Sequence, residues 1–478
     1  MGSIENSAVA AAALTLNDSL ARQREAFARD PHPSRQERRR RLLLLEKLLR
    51  DNIDSLAAAI DQDFGHRSRD ETRLLEIFPS LESIKHARRH LGQWMRDEQR
   101  PVSLWFQPGR AKVVLQPLGV VGIIAPWNYP ILLAAAPLAA ALAAGNRAMV
   151  KMSEYTPRTA RLFADLIARH FTAEEITVVE GDAKVAQAFA LLPFNHLLFT
   201  GSTKVGHSVM RAAAENLTPV TLELGGKSPA IVGPDYPIGH AAERILVGKT
   251  VNAGQTCIAP DYVLLPAGKT AAFLDAARAV VNRCYPDMAR TPDYTAIIDQ
   301  RHFARLSGYL DDAVDKGARV VPLSNSLAAP DGVTRRIPPL ALTGVRDDMQ
   351  VMQDEIFGPL LPIIEYATLD DAIAHVNAHP RPLALYYFDR DGDRVNRVLR
   401  ETIAGGVTIN DTILHIAQDH LPFGGVGHSG MGHYHGREGF ETFSKKKAVF
   451  VQSRVNAISL FNPPYGKLFD ALVRFLIR

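Results

Sequence analysis

Two cysteines occur in the 478 residues, and they stand in opposite surroundings. Cys257 closes the small, polar run Val251-Asn252-Ala253-Gly254-Gln255-Thr256-Cys257, where glycine leaves room and glutamine and threonine supply donors. A thiolate nucleophile needs partial access and nearby donors of this kind. The competing reading is that free cysteine acts as a small buried hydrophobe. Cys284, at the end of the helical pattern "AAFLDAARAVVNRC", fits that second reading and is expected to be buried and inert. Glu223 ends an apolar run ahead of Gly225-Gly226, and Asn128 follows "GVVGIIAP" between two prolines. Read singly, these are a capped strand end and a turn asparagine. They gain chemical meaning only if the fold brings them to Cys257.

The elements that must do this are legible as an alternation. Residues 17 to 100 carry helical patterns, with Asp51-Asn52 as a capping candidate. Among them, "SRQERRRRLLLLEKLLRDN" predicts an amphipathic helix whose Arg38-Arg39-Arg40-Arg41 run is a solvated basic face rather than a nucleic-acid patch. From Leu118, strand-length apolar runs ("LGVVGIIAP", "AMVK", "ITVVEG", "HLLFTG", "VTLELGG") alternate with helical patterns. Fully apolar strands in such an order argue for a parallel sheet covered on both faces. A second alternating set beginning near Pro229 predicts a second α/β domain, with a cleft between the two.

"FTGSTKVGHSVM" places Gly201-Ser202-Thr203 after a strand and at the start of a helix, where free N–H groups and the dipole suit a pyrophosphate. The spacing is not GxGxxG, and a plain N-cap at Ser202 explains it equally well. Lys151, Ser153 and Glu154 end another strand, and a carboxylate just past a strand end is placed for ribose hydroxyls.

A net charge of +4, from 55 basic and 51 acidic residues, gives no nucleic-acid footprint. Two cysteines make no disulfide framework and suit a reduced compartment. The N-terminus lacks a basic n-region, and Asn6 stands where the myristoylation pattern wants Ser or Thr. The longest apolar run, Ile131 to Ala144, is broken by Pro137 and too short to span a bilayer. A cytoplasmic protein is expected. In the tail, residues 467–478 put Lys467, Asp470, Arg474 and Arg478 on one helical stripe and apolar residues around the rest. About 18 Å of helix does not cross a bilayer of about 30 Å. Docking on the protein's own core is the expectation; a lid over the substrate entrance and interfacial membrane attachment are the alternatives.

Taken together, "PWNYP", "VKMSE", "FTGSTKVG", "LELGGKSP", "NAGQTC", "EIFGP" and "LPFGGVGHSGMG" occur in an order that resembles the aldehyde dehydrogenase superfamily over roughly residues 100 to 455. The closing stretch is similar to its class 3 branch, and "ENLTPVTLELGGKSPAIV" with "NAGQTCIAPDYVLLP" is similar to the coniferyl aldehyde group within it. The resemblance implies two parallel-sheet α/β domains, a Rossmann-like cofactor domain (1–100 and 118–225) and a catalytic domain (226–425). It adds a bridging element (101–117 and 440–455), through which two protomers pair as a homodimer, and a tail (459–478). It makes Cys257 the nucleophile, Asn128 an oxyanion donor and Glu223 the general base. It assigns Lys151 and Glu154 to the adenosine ribose, and Gly201, Ser202 and Val205 to the cofactor around the pyrophosphate. Glu355 would hold the nicotinamide ribose, with Phe357 against the ring.

Glu154 favours NAD over NADP, with NADP use open, and no metal is implied. Met152 replaces the family's usual proline, which predicts a less rigid loop. His428, His433 and His435 read as parts of a glycine-rich turn rather than a metal site. The implied reaction is oxidation of an apolar, aromatic or conjugated aldehyde to the acid. Terpenoid enals and long-chain aldehydes are alternative substrates, and a cysteine hydrolase or a crystallin-like structural protein are alternatives of another class.

Overall fold

The computed structural model describes the backbone of residues 2–477 and the side chains of residues 14–477; the readings of Asn6 and Arg478 lie outside these. A small antiparallel sheet comes first, from β1 (Glu98–Arg100) and β2 (Arg110–Pro117). The first large sheet holds β3 (Val120–Ile124), β4 (Arg147–Lys151), β5 (Ile176–Val179), β6 (His196–Thr200) and β7 (Val220–Glu223). The second holds β8 (Pro229–Val232), β9 (Tyr262–Pro266), β10 (Arg319–Pro322), β11 (Leu340–Thr343), β12 (Leu360–Tyr366), β13 (Ala384–Phe388) and β14 (Gly406–Ile409). Near the end of the chain β15 (Gly430–Met431) and β16 (Ser444–Val451) return to the first large sheet and the small sheet respectively.

Strands β3, β4 and β6 are buried at every residue, as strands covered on both faces must be. The first sheet runs in the order β15-β7-β6-β3-β4-β5. The order reverses between β3 and β6, and crevices at such switch points, at the carboxyl ends of the strands, are where α/β sheets bind ligands. Asn128 follows β3, Lys151 ends β4, Gly201-Ser202 follow β6 and Glu223 ends β7. The second sheet runs β10-β11-β12-β9-β8-β13-β14 and is parallel except for the β10 edge. β15 lies antiparallel to β7 with Gly430 opposite Glu223, so a segment from the far end of the sequence closes over the carboxylate. A side chain at Gly430 would overlap the Leu222 carbonyl oxygen, which explains glycine there.

Four expectations need correction. Arg38 and Arg41 are buried, and only Arg39 and Arg40 face solvent. The pair lies three residues apart on the same face as Leu42 and Leu45. Arg38 donates to the Ala143 and Ala144 carbonyls (3.1 and 2.7 Å), so a cation closes the C-terminus of the buried helix Leu132–Ala144. Arg41 pairs with Glu37 and Glu175 at 2.9 and 3.2 Å. Second, Cys284 is exposed, because the last residue of helix Thr270–Cys284 falls on its solvent face. Third, Met152 does not loosen its strand end: its N–H continues the ladder to the Val179 carbonyl (3.1 Å), a bond proline cannot make. Fourth, the tail helix Lys467–Leu476 does not dock on the core; none of its residues is buried. Pro463-Pro464 carry it out beside the small sheet, where Phe475 meets Trp105 edge-on at 6.2 Å. No helix among the described residues is long and apolar enough to cross a membrane.

Candidate active site

The residues before Cys257 are held in a costly shape. Asn252, Ala253 and Gly254 all have positive φ (49°, 51° and 74°). Left-handed backbone at a non-glycine residue costs on the order of 1–3 kcal/mol and persists only where the surroundings over-determine it. Here they do. The Asn252 N–H donates to Glu71 at 3.0 Å, and its side-chain amide donates to the Gln255 and Asn128 carbonyls at 3.0 and 3.1 Å. Gln255 is fully buried, donates to the Ala296 carbonyl (3.1 Å) and accepts from the Ile298 N–H (3.0 Å). Tyr129 OH and Thr256 Oγ1 lie 2.8 Å apart. A side chain at Gly254 would overlap the Gly358 carbonyl, so only glycine lets the nucleophile loop and the segment carrying Glu355 approach.

Asn128 Nδ2 donates one hydrogen to the Gln255 carbonyl at 3.1 Å and keeps a second for the cavity. Its own carbonyl accepts from Arg67 at 2.7 Å. Arg67 and Glu76 form a fully buried ion pair at 3.1 Å, and Glu76 also accepts from the Ile131 N–H at 2.9 Å. Glu76 sits on a single π turn, Arg73–Ile77, between two helices. Arg67, Glu71 and Glu76 give no signal in the sequence, since each lies in a segment that reads as ordinary helix or turn, and Tyr129, though part of the "PWNYP" motif, is given no role there.

Asn128, Gly201, Ser202, Glu223, Cys257, Glu355 and Phe357 all open onto one cavity of about 870 Å³. Both Glu223 oxygens are buried without a protein partner, and burial pushes this carboxyl well above its ordinary pKa. Glu355, one oxygen of which is likewise unpartnered, is pushed up to about 8 by burial and then by Asp261. The Cys257 thiol is pushed up to about 12, chiefly by burial and then by the charges of Glu355 and Glu223. The resting site is thus a neutral thiol between carboxyl groups that give up their protons reluctantly.

Lys227 holds the Glu355 segment. Its ammonium pairs with Asp261 and donates to the Val351 and Asp354 carbonyls at 2.8 and 3.0 Å, while Asp261 accepts from the Ile356 N–H at 3.0 Å. Phe357 has φ +48° and packs edge-on to Trp127 at 5.4 Å.

Lys151, Glu154 and Val205 do not line that cavity. Lys151 is buried at the end of β4 and donates to the Met152 and Gly181 carbonyls (2.6 and 2.8 Å). Glu154 is exposed three residues beyond. Val205 is exposed in the first turn of helix Thr203–Ala214, which Ser202 caps by accepting from the Val205 N–H at 3.4 Å. The residues present fit a dinucleotide: a capped helix N-terminus after β6, glycine at 201 and 225, and an unpartnered buried Glu355 oxygen facing the same space. His428, His433 and His435 are not gathered into a cluster: His435 is buried and stacked on Phe423 at 5.2 Å, while the other two are exposed.

A strained loop that presents one thiol between an amide and two buried carboxyls, beside a doubly wound sheet, defines the class. The chain belongs to the aldehyde dehydrogenase family, whose model matches residues 6–449. It is an NAD(P)-dependent aldehyde dehydrogenase. It is 57% identical to a probable coniferyl aldehyde dehydrogenase of Pseudomonas aeruginosa, over 95% of this chain and 94% of that one. To the coniferyl aldehyde dehydrogenase of a Pseudomonas species it is 47% identical, over 97% and 96% of the two chains. Among solved structures, Staphylococcus aureus AldH in its substrate-bound state matches with a TM-score of 0.91 at 38% identity, over 96% of this chain and 99% of that one.

Proposed function

We propose that the enzyme oxidises coniferyl aldehyde, or a conjugated aromatic aldehyde much like it, to the carboxylic acid, with NAD as the preferred oxidant. The observation that carries this reading is the convergence of Cys257, Asn128 and Glu223 on one cavity whose lining also includes Trp127, Leu133 and Phe357. Of the four cations lining the cavity, Lys227 pairs with Asp261 and Arg305 donates to the Ile356 carbonyl at 2.9 Å, while Lys204 and Arg381 are exposed. The names of the two Pseudomonas relatives point to the same substrate.

In this reading Cys257 gives up its thiol proton to solvent and the thiolate Sγ bonds to the aldehyde carbon, whose C=O π pair moves onto oxygen. The oxyanion that develops accepts from Asn128 Nδ2 and the Cys257 N–H, donors that act on charge present only as reaction proceeds. The bound nicotinamide supplies the hydride acceptor. Glu355 and Phe357 would position it, Ser202 at the helix N-terminus with Gly201 and Val205 would receive the pyrophosphate, and Lys151 and Glu154 would hold the adenosine ribose. Loss of hydride leaves Cys257 as a thioester, and Glu223 takes a proton from the water that cleaves it. Glu154 supports NAD, since a carboxylate beside the 2′-hydroxyl repels a 2′-phosphate.

Two protomers pair through the small sheet. Supporting this, Leu104, Trp105, Phe106, Phe450 and Val451 are exposed around it, and so are Leu468 and Phe475 of the tail. The test of substrate is a ranking of kcat/KM over coniferyl aldehyde, benzaldehyde, a terpenoid enal, a fatty aldehyde and succinic semialdehyde. Coniferyl aldehyde is expected first. Preference for succinic semialdehyde overturns the apolar site, and ester hydrolysis without nicotinamide reduction overturns the redox reading.

A further inference from the structure

Far from Cys257 in sequence, three histidines meet. His86 and His90 lie four residues apart on helix Phe78–Trp94, so they share one face, and His420 reaches them from the loop after residues 414–417. Their ring centroids are 4.2 Å (His86 to His90), 4.5 Å (His86 to His420) and 5.4 Å (His90 to His420) apart, with His420 nearly perpendicular to both. One nitrogen from each ring lies within 4.8 Å of the other two.

We propose that His86, His90 and His420 form a site for a divalent transition-metal ion of the zinc type, tying this helix to the loop that leads into the glycine-rich segment. Imidazole suits zinc, copper and nickel. Zinc–nitrogen bonds of about 2.0–2.1 Å bring ligating nitrogens to roughly 3.4 Å of one another. The partly exposed His90 and exposed His420 are free to make that adjustment by side-chain rotation.

A second observation points the same way. His90 Nδ1 lies 2.9 Å from the His86 carbonyl oxygen, so it donates there and leaves Nε2 as the acceptor. Metal-binding histidines are oriented by this kind of outer bond. His86 is buried beside Trp94, with ring centroids 5.6 Å apart, so its position is fixed by packing. Asp419, adjacent to His420, accepts from Ser83 at 2.8 Å, which ties the loop carrying His420 to the helix carrying His86 and His90. A second group, Asp347 with His375 and His379, is less suited. Its carboxylate is 72% exposed and 3.8 Å from His379.

The site ties to function through chain connectivity. His420 precedes Phe423 by three residues, and the Phe423 backbone pairs with Tyr434 on the far side of the glycine-rich loop that sets Gly430 against Glu223. A metal at His420 therefore anchors the base of that loop.

The test is titration of the full-length protein, freed of metal by chelator, with zinc chloride, followed by calorimetry and thermal unfolding. The wild type is expected to take one zinc per chain and to unfold at a higher temperature with it. His420→Ala and His90→Gln should weaken that site by more than the roughly 10–100-fold that loss of an outer-shell partner costs. Both should keep dehydrogenase activity, which shows that they fold. His379→Ala should bind as the wild type does. The proposal falls if His420→Ala and His90→Gln bind zinc as tightly as the wild type, if the wild type binds none, or if His379→Ala removes the site. It falls also if cobalt(II) in place of zinc gives a near-ultraviolet thiolate band, which would put the metal on a cysteine.

Discussion

The Glu355 carboxylate occupies the space that a Cβ on Gly225 would fill, so the glycine after β7 determines where this acid stands. Gly225→Ala must displace Glu355 or the backbone. Displacement of about 1 Å costs up to about 100-fold in rate. The expected result is a raised KM for NAD and lowered kcat with stability nearly unchanged, checked by steady-state kinetics and thermal unfolding; an unaltered KM for NAD would separate Glu355 from the cofactor.

Glu223→Gln should give a first burst of reduced cofactor and then slow turnover, since acylation survives and thioester hydrolysis lacks its base. Burial raises the Glu223 pKa, so its basic form grows with rising pH over a range above that of an ordinary carboxylate. Wild-type turnover, where deacylation limits it, should therefore rise toward alkaline pH, and the variant's profile should be flat. Rapid-mixing absorbance across pH measures both, and a missing burst would place Glu223 in an earlier step.

The two cysteines should separate by reactivity. Cys284 is exposed, whereas the Cys257 thiol is raised to about 12 by its surroundings. Iodoacetamide at pH 7 should label Cys284 first with activity intact. Inactivation should follow the slower labelling of Cys257 and speed up about tenfold per pH unit, as the thiolate fraction does. Cys284→Ala should turn over normally and Cys257→Ala not at all, with NAD binding retained. Mass spectrometry alongside activity decides; activity lost with the first label would reverse the assignment.

Arg67→Met leaves Glu76 buried without its counter-ion and takes a donor from the Asn128 carbonyl. Removing one partner of a buried pair costs about 3–5 kcal/mol, and replacing both by apolar residues costs much less. Arg67→Met should unfold well below the wild type, while Arg67→Met with Glu76→Met recovers stability but not kcat, because Asn128 still lacks its tether. Calorimetry and kcat of the two variants supply the comparison.

Truncation after Asn462 removes a helix none of whose residues is buried in the protomer. Unfolding of the monomer should hold within about 1 kcal/mol, the usual scale for surface changes. Dimer dissociation, followed by sedimentation at falling protein concentration, should become easier, because Phe475 extends the exposed apolar surface at Trp105. A dimer of unchanged affinity would detach the tail from the interface.

The sequence by itself carried the local part of this protein. Alternating apolar runs and helical patterns announced two α/β domains, and Cys257 stood out by its small, polar neighbours, while Glu223, Asn128 and Glu355 gained roles only through motifs that resemble those of the aldehyde dehydrogenase family. Tertiary structure alone decided what depended on partners far along the chain. Asn128 meets Gln255 across 127 positions, Glu71 meets Asn252 across 181, and Gly430 closes over Glu223 from the other end of the molecule. The burial of Arg38 and Arg41, the exposure of Cys284 and the undocked tail were misread for one reason. Periodicity tells which face of a helix is apolar, but what covers that face is set by elements hundreds of residues away, through packing and desolvation that local pattern does not encode.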